Sequence, residues 1–240
     1  MSKKIGIIGG LSPESTISYY KGIVTLSKEA FGGHTTPDIL IHSVNQQEFI
    51  DWKHDNRWDV CGKKLASAAI GLEKNGAELI LLATNTMHRV ADDIENAISV
   101  PFVHIADATA EAISRQNCSK PLLLGTSFTM ELPFYKDRIA DKYGLDVIVP
   151  EQQDRDLINT VIFDELCYGT IMEKSRDAFL SIIRSIHQEQ NIDSVILGCT
   201  EIGLLIHQHD IPVPTFDTAD IHYRAAFEKL YANELLSKTG

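Results

Sequence analysis

Short apolar runs recur along the chain, each ended by glycine or a small polar residue and each followed by apolar residues spaced every three or four positions. In the first half the runs are Lys4–Gly10, Asp38–Val44, Leu79–Ala83 and Pro101–Ile105. In the second they are Pro121–Leu124, Asp146–Val149, Ser194–Leu197 and Val213–Phe216. All eight read as buried strands. A helix is predicted to start at Ser12-Pro13-Glu14, where a proline sits one position inside a serine cap. The segment from Gly62 to Lys74 places Leu65, Ala68, Ala69 and Leu72 on one helical face, and Lys174 to His187 repeats the habit. Strand and helix alternating in this way predict an α/β fold with mainly parallel sheets.

The pattern also repeats on a larger scale. Gly9 and Gly125 each follow a strand, and Tyr19 and Tyr135 each lie ten residues further on. Thr84 and Cys199 each follow an apolar strand, and Asp107 and Asp220 each lie six residues past a Val-Pro pair. The four landmarks keep their order at an offset of 113 to 116 residues. Two pseudo-symmetric α/β domains are therefore expected, one of residues 1–106 with 214–240 and the other of 107–213.

Charge and composition narrow the functions. With 22 basic and 33 acidic residues the net charge is −11, and no basic stripe with interleaved aromatics is present. Nucleic acid and anionic membranes are excluded as partners on that ground. No apolar run has the roughly 18 residues of a membrane span, and the first apolar stretch lacks a cleavage-site pattern, so a cytoplasmic location is expected. Cys61, Cys118, Cys167 and Cys199 include no C-x-x-C pair and no zinc-ligand spacing, so they read as free thiols and no metal is expected.

In parallel sheets, ligands bind beyond the carboxyl ends of the strands. Two facing halves would set Thr84 and Cys199 on opposite sides of one ligand in an interdomain cleft. Around them stand short polar side chains: Asn85 and Thr86 beside Thr84, Thr200 beside Cys199, and Ser12, Thr126, Ser127 and Thr129 after the glycine-ended strands. With helix N-terminal amides these make a donor-rich lining suited to carboxylates.

The stretch IGIIGGLSPESTISYY, the ATNTMH at 83–88, the LGTSFTM at 124–130 and the LGCTEIGLL at 197–205 resemble the aspartate/glutamate racemase family over nearly the whole chain. The resemblance implies an enzyme independent of pyridoxal phosphate and of any other cofactor, usually a homodimer, in which two opposed cysteines exchange the Cα proton of an acidic amino acid. The second cysteine maps onto Cys199; the first maps onto Thr84, as in a subgroup with threonine at that position. It also implies that Asn85, Thr86 and Thr200 hold the substrate carboxylate and ammonium, with Thr126 and Thr129 from the second half and Leu11 and Ser12 lining the first glycine turn.

A threonine hydroxyl is a far weaker acid than a thiol, whose reference pKa is about 8.5. The base of real strength is therefore expected to be a Cys199 thiolate, and the enantiomer presenting Cα–H to it should react faster. His88, four residues after Thr84, and Glu201, two after Cys199, are candidate supporting residues, with helix packing and a first-turn carboxylate as their plainer roles. Asp107 and Asp220 read as helix caps. For a second substrate carboxylate the loop after the second strand offers no clear basic match; Lys53 or Arg57 could swing in, with a solvated surface charge as the plainer role of each. Two further functions fit the pattern: a decarboxylase or isomerase of the same superfamily working with one cysteine, and a two-lobed amino-acid-binding module without catalysis.

Overall fold

In the computed structural model, residues 3–236 are described; the outer limits expected for the first domain, at 1 and 240, lie outside them. The chain forms two compact units. One runs to His104 and resumes at His222, and the other is Ile105–Ile221.

The first unit is built on a parallel sheet of order β2-β1-β3, with β1 Lys4–Gly9, β2 Asp38–Ser43 and β3 Leu79–Leu82. Helix α1 (Pro13–Phe31) follows β1, α2 (Gln46–His54) follows β2, and α3 (Trp58–Lys74) leads into β3. The start of α1 is where the Ser-Pro pair puts it: Ser12 is extended, and its Oγ accepts the Ser15 N–H at 3.3 Å. All four residues of β3 and most of β1 are buried, as expected for parallel strands covered on both faces. Each fully buried Ile or Leu among them contributes about 1.5–3 kcal/mol.

The second unit repeats the plan with β4 Pro121–Leu124, β5 Ser194–Leu197 and β6 Thr215–Asp217 in the order β4-β5-β6, all parallel. Its core gathers Leu122–Leu124, Tyr135, Ile139, Phe179, Ile183, Val195, Ile196 and Phe216. Tyr19 and Tyr135, paired by the repeat, are both fully buried on the helices after β1 and β4.

Three expectations change. Pro101–Ile105 and Asp146–Val149 are not strands: each contributes one parallel bridge, Ile80 with Phe102 and Leu122 with Ile148. The next helix already begins at Ile105, which leaves no room for a longer ladder at Phe102. The chain returns to the first unit at His222, whereas the sequence pattern predicts a return at 214; the later return arises because β6 pairs with β5. Asp220 is not the cap of its helix, Thr218–Leu230: Asp217 Oδ1 accepts the Ala219 and Asp220 N–H groups, at 2.9 and 3.1 Å. Asp107 instead accepts a bidentate pair from Arg138, at 2.7 and 2.9 Å, and a third bond from Lys142. Among the described residues no helix is long and apolar enough to cross a membrane.

Candidate active site

Within the first unit the expected residues collect at the carboxyl ends of two neighbouring strands. Leu11 and Ser12 follow β1; Thr84 follows β3, with Asn85 and Thr86 buried behind it at the start of a 3-10 turn, Thr86–Val90. The turn after β1 needs glycine. Gly10 has φ of +79°, and a Cβ there would stand 2.3 Å from the Val44 carbonyl oxygen. Thr16 closes the same turn, accepting the Gly10 N–H at 2.9 Å and donating to the Ser12 carbonyl at 3.0 Å.

Backbone carbonyls around Thr84 are fixed one after another. The Thr84 N–H donates to the Leu82 carbonyl at 2.8 Å, the Ser15 hydroxyl donates to the Ala83 carbonyl at 2.8 Å, and His88 Nδ1–H donates to the Thr84 carbonyl at 2.7 Å. His88 is thus engaged with the main chain of Thr84 through Nδ1.

In the second unit Thr126 and Thr129 follow β4, and Cys199, Thr200 and Glu201 follow β5. The strand ends run close together: the Gly198 N–H donates to the Leu124 carbonyl at 2.6 Å, and a Cβ on Gly198 would stand 2.8 Å from that oxygen. Thr126 and Thr129 hydroxyls are 3.2 Å apart and both are buried. The Ser127 amide donates to Asn159 Oδ1 at 2.9 Å.

The expected thiolate is corrected here. Glu201 is buried, and one of its oxygens, Oε2, accepts the Cys199 S–H at 3.0 Å and the Thr200 hydroxyl at 2.6 Å. Burial, then the negative charge of Glu201 and this hydrogen bond, hold the Cys199 thiol well above its ordinary range. An acceptor faces the sulfur where donors were expected, so the resting form is a thiol. The other carboxylate oxygen of Glu201 is buried with no protein partner among the described residues. Asp217 is pushed up by its own burial, with the charges of Asp220 and Glu201 adding to it.

The basic side chains group elsewhere in the first unit. Lys53, half-buried in the last turn of α2, and exposed Arg57, just before α3, both lie within electrostatic reach of buried Cys61. Sequence reasoning missed Arg89, whose guanidinium lies over the Trp58 ring at 4.4 Å from its centre. The two residues are 31 apart, and no spacing rule pairs them. Among the described residues no His, Cys, Asp and Glu side chains are grouped so as to hold a metal ion.

The model of the Asp/Glu/hydantoin racemase family matches residues 8–226. The chain belongs to that family. As a member of a racemase family it is classed as an isomerase. It is 25% identical over 218 residues to the broad specificity amino-acid racemase RacX of Bacillus subtilis (strain 168), which covers 90% of this chain and 92% of the relative. A crystal structure from Yersinia pestis, provisionally called an Asp/Glu racemase, is 45% identical with a TM-score of 0.88, covering 95% of this chain and 99% of that one. A second, PH1733, an aspartate racemase homologue from Pyrococcus horikoshii OT3, is 42% identical with a TM-score of 0.84 and the same coverage.

Proposed function

We propose that this protein racemises aspartate, glutamate or both without pyridoxal phosphate or metal, and belongs to the subgroup with threonine in place of the first cysteine. The observation that carries the reading is the Cys199–Glu201 hydrogen bond directly after β5. A thiol held high cannot act as a base until its proton has somewhere to go, and Glu201 is the acceptor already in contact. The S–H proton passes to Glu201, and the thiolate takes the Cα proton. The electron pair stays on the substrate as an enediolate, held by fixed donors. Thr84 delivers a proton to the opposite face and is refilled from water, and the resulting hydroxide is neutralised by the proton that Glu201 releases to solvent, which returns every group to its starting state.

The hydroxyls and amides of Ser12, Asn85, Thr86, Thr126, Thr129 and Thr200 are the groups proposed to hold the α-carboxylate and ammonium, with Leu11 as an apolar wall. Thr84 is a feeble base. The enantiomer that presents Cα–H to Cys199 is therefore the faster substrate. For a second carboxylate the cations proposed are Lys53, Arg57 and Arg89; Arg89 is preferred because its guanidinium lies over the Trp58 ring, and stacking of that kind does not use the in-plane N–H donors that a planar anion needs. Arg89→Gln should raise KM for acidic substrates about tenfold, the weight of one charge-assisted hydrogen bond, and leave neutral amino acids unchanged. A cytoplasmic homodimer completes the proposal.

The resting thiol favours one other reading, a decarboxylase or isomerase with a single cysteine, because a thiol can protonate a carbanion without first losing its proton. Proton NMR in heavy water with L- and D-aspartate and glutamate separates the two. A racemase exchanges and inverts Cα. A decarboxylase leaves these amino acids untouched and releases carbon dioxide from a malonate-like acid, and that result would replace the first reading.

A further inference from the structure

We propose that Tyr19, His222 and His88 act together as positioning residues that hold the Thr84 peptide in the orientation from which its hydroxyl delivers a proton. The inference rests on Thr84 being that donor, and it concerns side chains outside the proposed catalytic and substrate-holding set. Tyr19 lies on α1, His222 on the helix Thr218–Leu230 and His88 on the turn after β3. Tyr19 and His222 are 203 residues apart in sequence.

The geometry fixes the proton positions. His222 Nε2 is 2.7 Å from the Val103 carbonyl oxygen, which can only accept, so Nε2 carries the hydrogen. His222 Nδ1 must then accept, and the Tyr19 hydroxyl, 2.6 Å away, donates to it. Both nitrogens are held, and the ring cannot turn. Burial lowers the His222 pKa to about 4, which keeps this neutral tautomer in place near neutrality.

The fixed His222 ring stands edge-on to His88, with centres 5.5 Å apart and planes at 70°. His104, next in sequence to Val103, presses on His88 at 4.6 Å, and Phe102 packs at 5.6 Å. His88 is hemmed in by rings, and its Nδ1–H points at the Thr84 carbonyl. A hydroxyl of low acidity depends more on placement than a thiol does, since small displacements from the reactive geometry are costly. Anchoring the peptide that carries it is what this stack accomplishes.

The test separates exchange with retention from inversion. In heavy water, the faster enantiomer exchanges Cα–H through Cys199 alone, but inversion also needs delivery from Thr84. Tyr19→Phe and His88→Phe should lower inversion about tenfold while exchange with retention stays within about twofold. His88→Asn should restore most of the inversion, because an asparagine can reach the carbonyl four residues back, as Asn75 does to Gly71 at 2.8 Å. Equal losses of both rates, no loss at all, or failure of the asparagine rescue would each overturn the proposal. A second readout needs no turnover. Long-range proton–nitrogen NMR should show His88 protonated at Nδ1 in the parent and a mixture of tautomers in Tyr19→Phe; an unmoved His88 signal in that variant refutes the coupling. Should the parent neither exchange nor invert any amino acid, the racemase reading fails, while the His88 spectra still decide whether the stack is coupled.

Discussion

In the first unit the position outside β1 holds a six-residue strand, β2, and the position outside β3 is a single bridge at Phe102. In the second unit the position outside β4 is a single bridge at Ile148, and the position outside β5 holds β6. Both sheets thus have the same four places in the same order, with full ladders at different edges. The central pairs, β1 with β3 and β4 with β5, are alike, and the candidate side chains follow these pairs in both units.

The residues just past the central strands differ between the units. After β3 the main chain is pinned by donors, the Ser15 hydroxyl and the His88 ring. After β5 a buried carboxylate gathers a thiol and a hydroxyl. The two units share one frame; the first uses it to fix the peptide of Thr84, and the second to keep a proton next to an acceptor. A weak acid needs placement, and a thiol held high needs a partner.

The contrast can be broken at each end. The largest effect is expected from Cys199→Ser, which should lower racemisation about 10³-fold with the fold intact by circular dichroism, since it removes the one strong base. Retained turnover would end the division of labour. Next comes His222 in the first unit. The folded pKa of His222, about 4, lies below its unfolded value of 6.5, so its contribution is full above pH 6.5 and is lost as the pH falls through 4. The shift corresponds to about 3 kcal/mol. Tyr19 and His88 are the titratable groups facing it. Between pH 7 and 4 the parent should lose about 3 kcal/mol more stability than His222→Gln in denaturant titrations. Equal slopes would show that the ring is not held neutral.

Glu201→Gln should lower racemisation about 10²-fold, the usual weight of a general base. At the same time it removes the charge that raises the Cys199 thiol, so alkylation by iodoacetamide should start at lower pH. Activity falling while the pH onset of alkylation shifts down, with the circular dichroism unchanged, is the signature of a proton acceptor; an unmoved alkylation onset would show that Glu201 does not hold the thiol up. The smallest effect is expected from Thr84→Cys, which should bring the rates from the two enantiomers within about threefold of each other by supplying a second thiol. Rates already equal in the parent would remove the reason for the asymmetry.

Much of this was legible in the sequence. The repeat landmarks led to both buried tyrosines and to the ends of β3 and β5, because glycine turns and apolar runs are local signals. The segments at Phe102 and Ile148 show the limit: a short apolar run beside a proline looks like a strand whether it pairs at one residue or at four. The Cys199–Glu201 contact spans two residues and could be suspected. Its size could not, because a neighbouring carboxylate raises a thiol strongly only where burial has removed the screening water, and burial is itself the larger cause here. Tyr19 with His222, and Arg89 with Trp58, meet only through folding, and no periodicity relates them.

The return of the chain at His222 bears on how the molecule is made. Everything from Ile105 to Ile221 leaves the ribosome as one uninterrupted piece, whereas the unit around β1 still lacks the imidazole that Tyr19 binds. Synthesis therefore completes the inserted body before the enclosing one, and the peptide of Thr84 acquires its last support only after that body has been made.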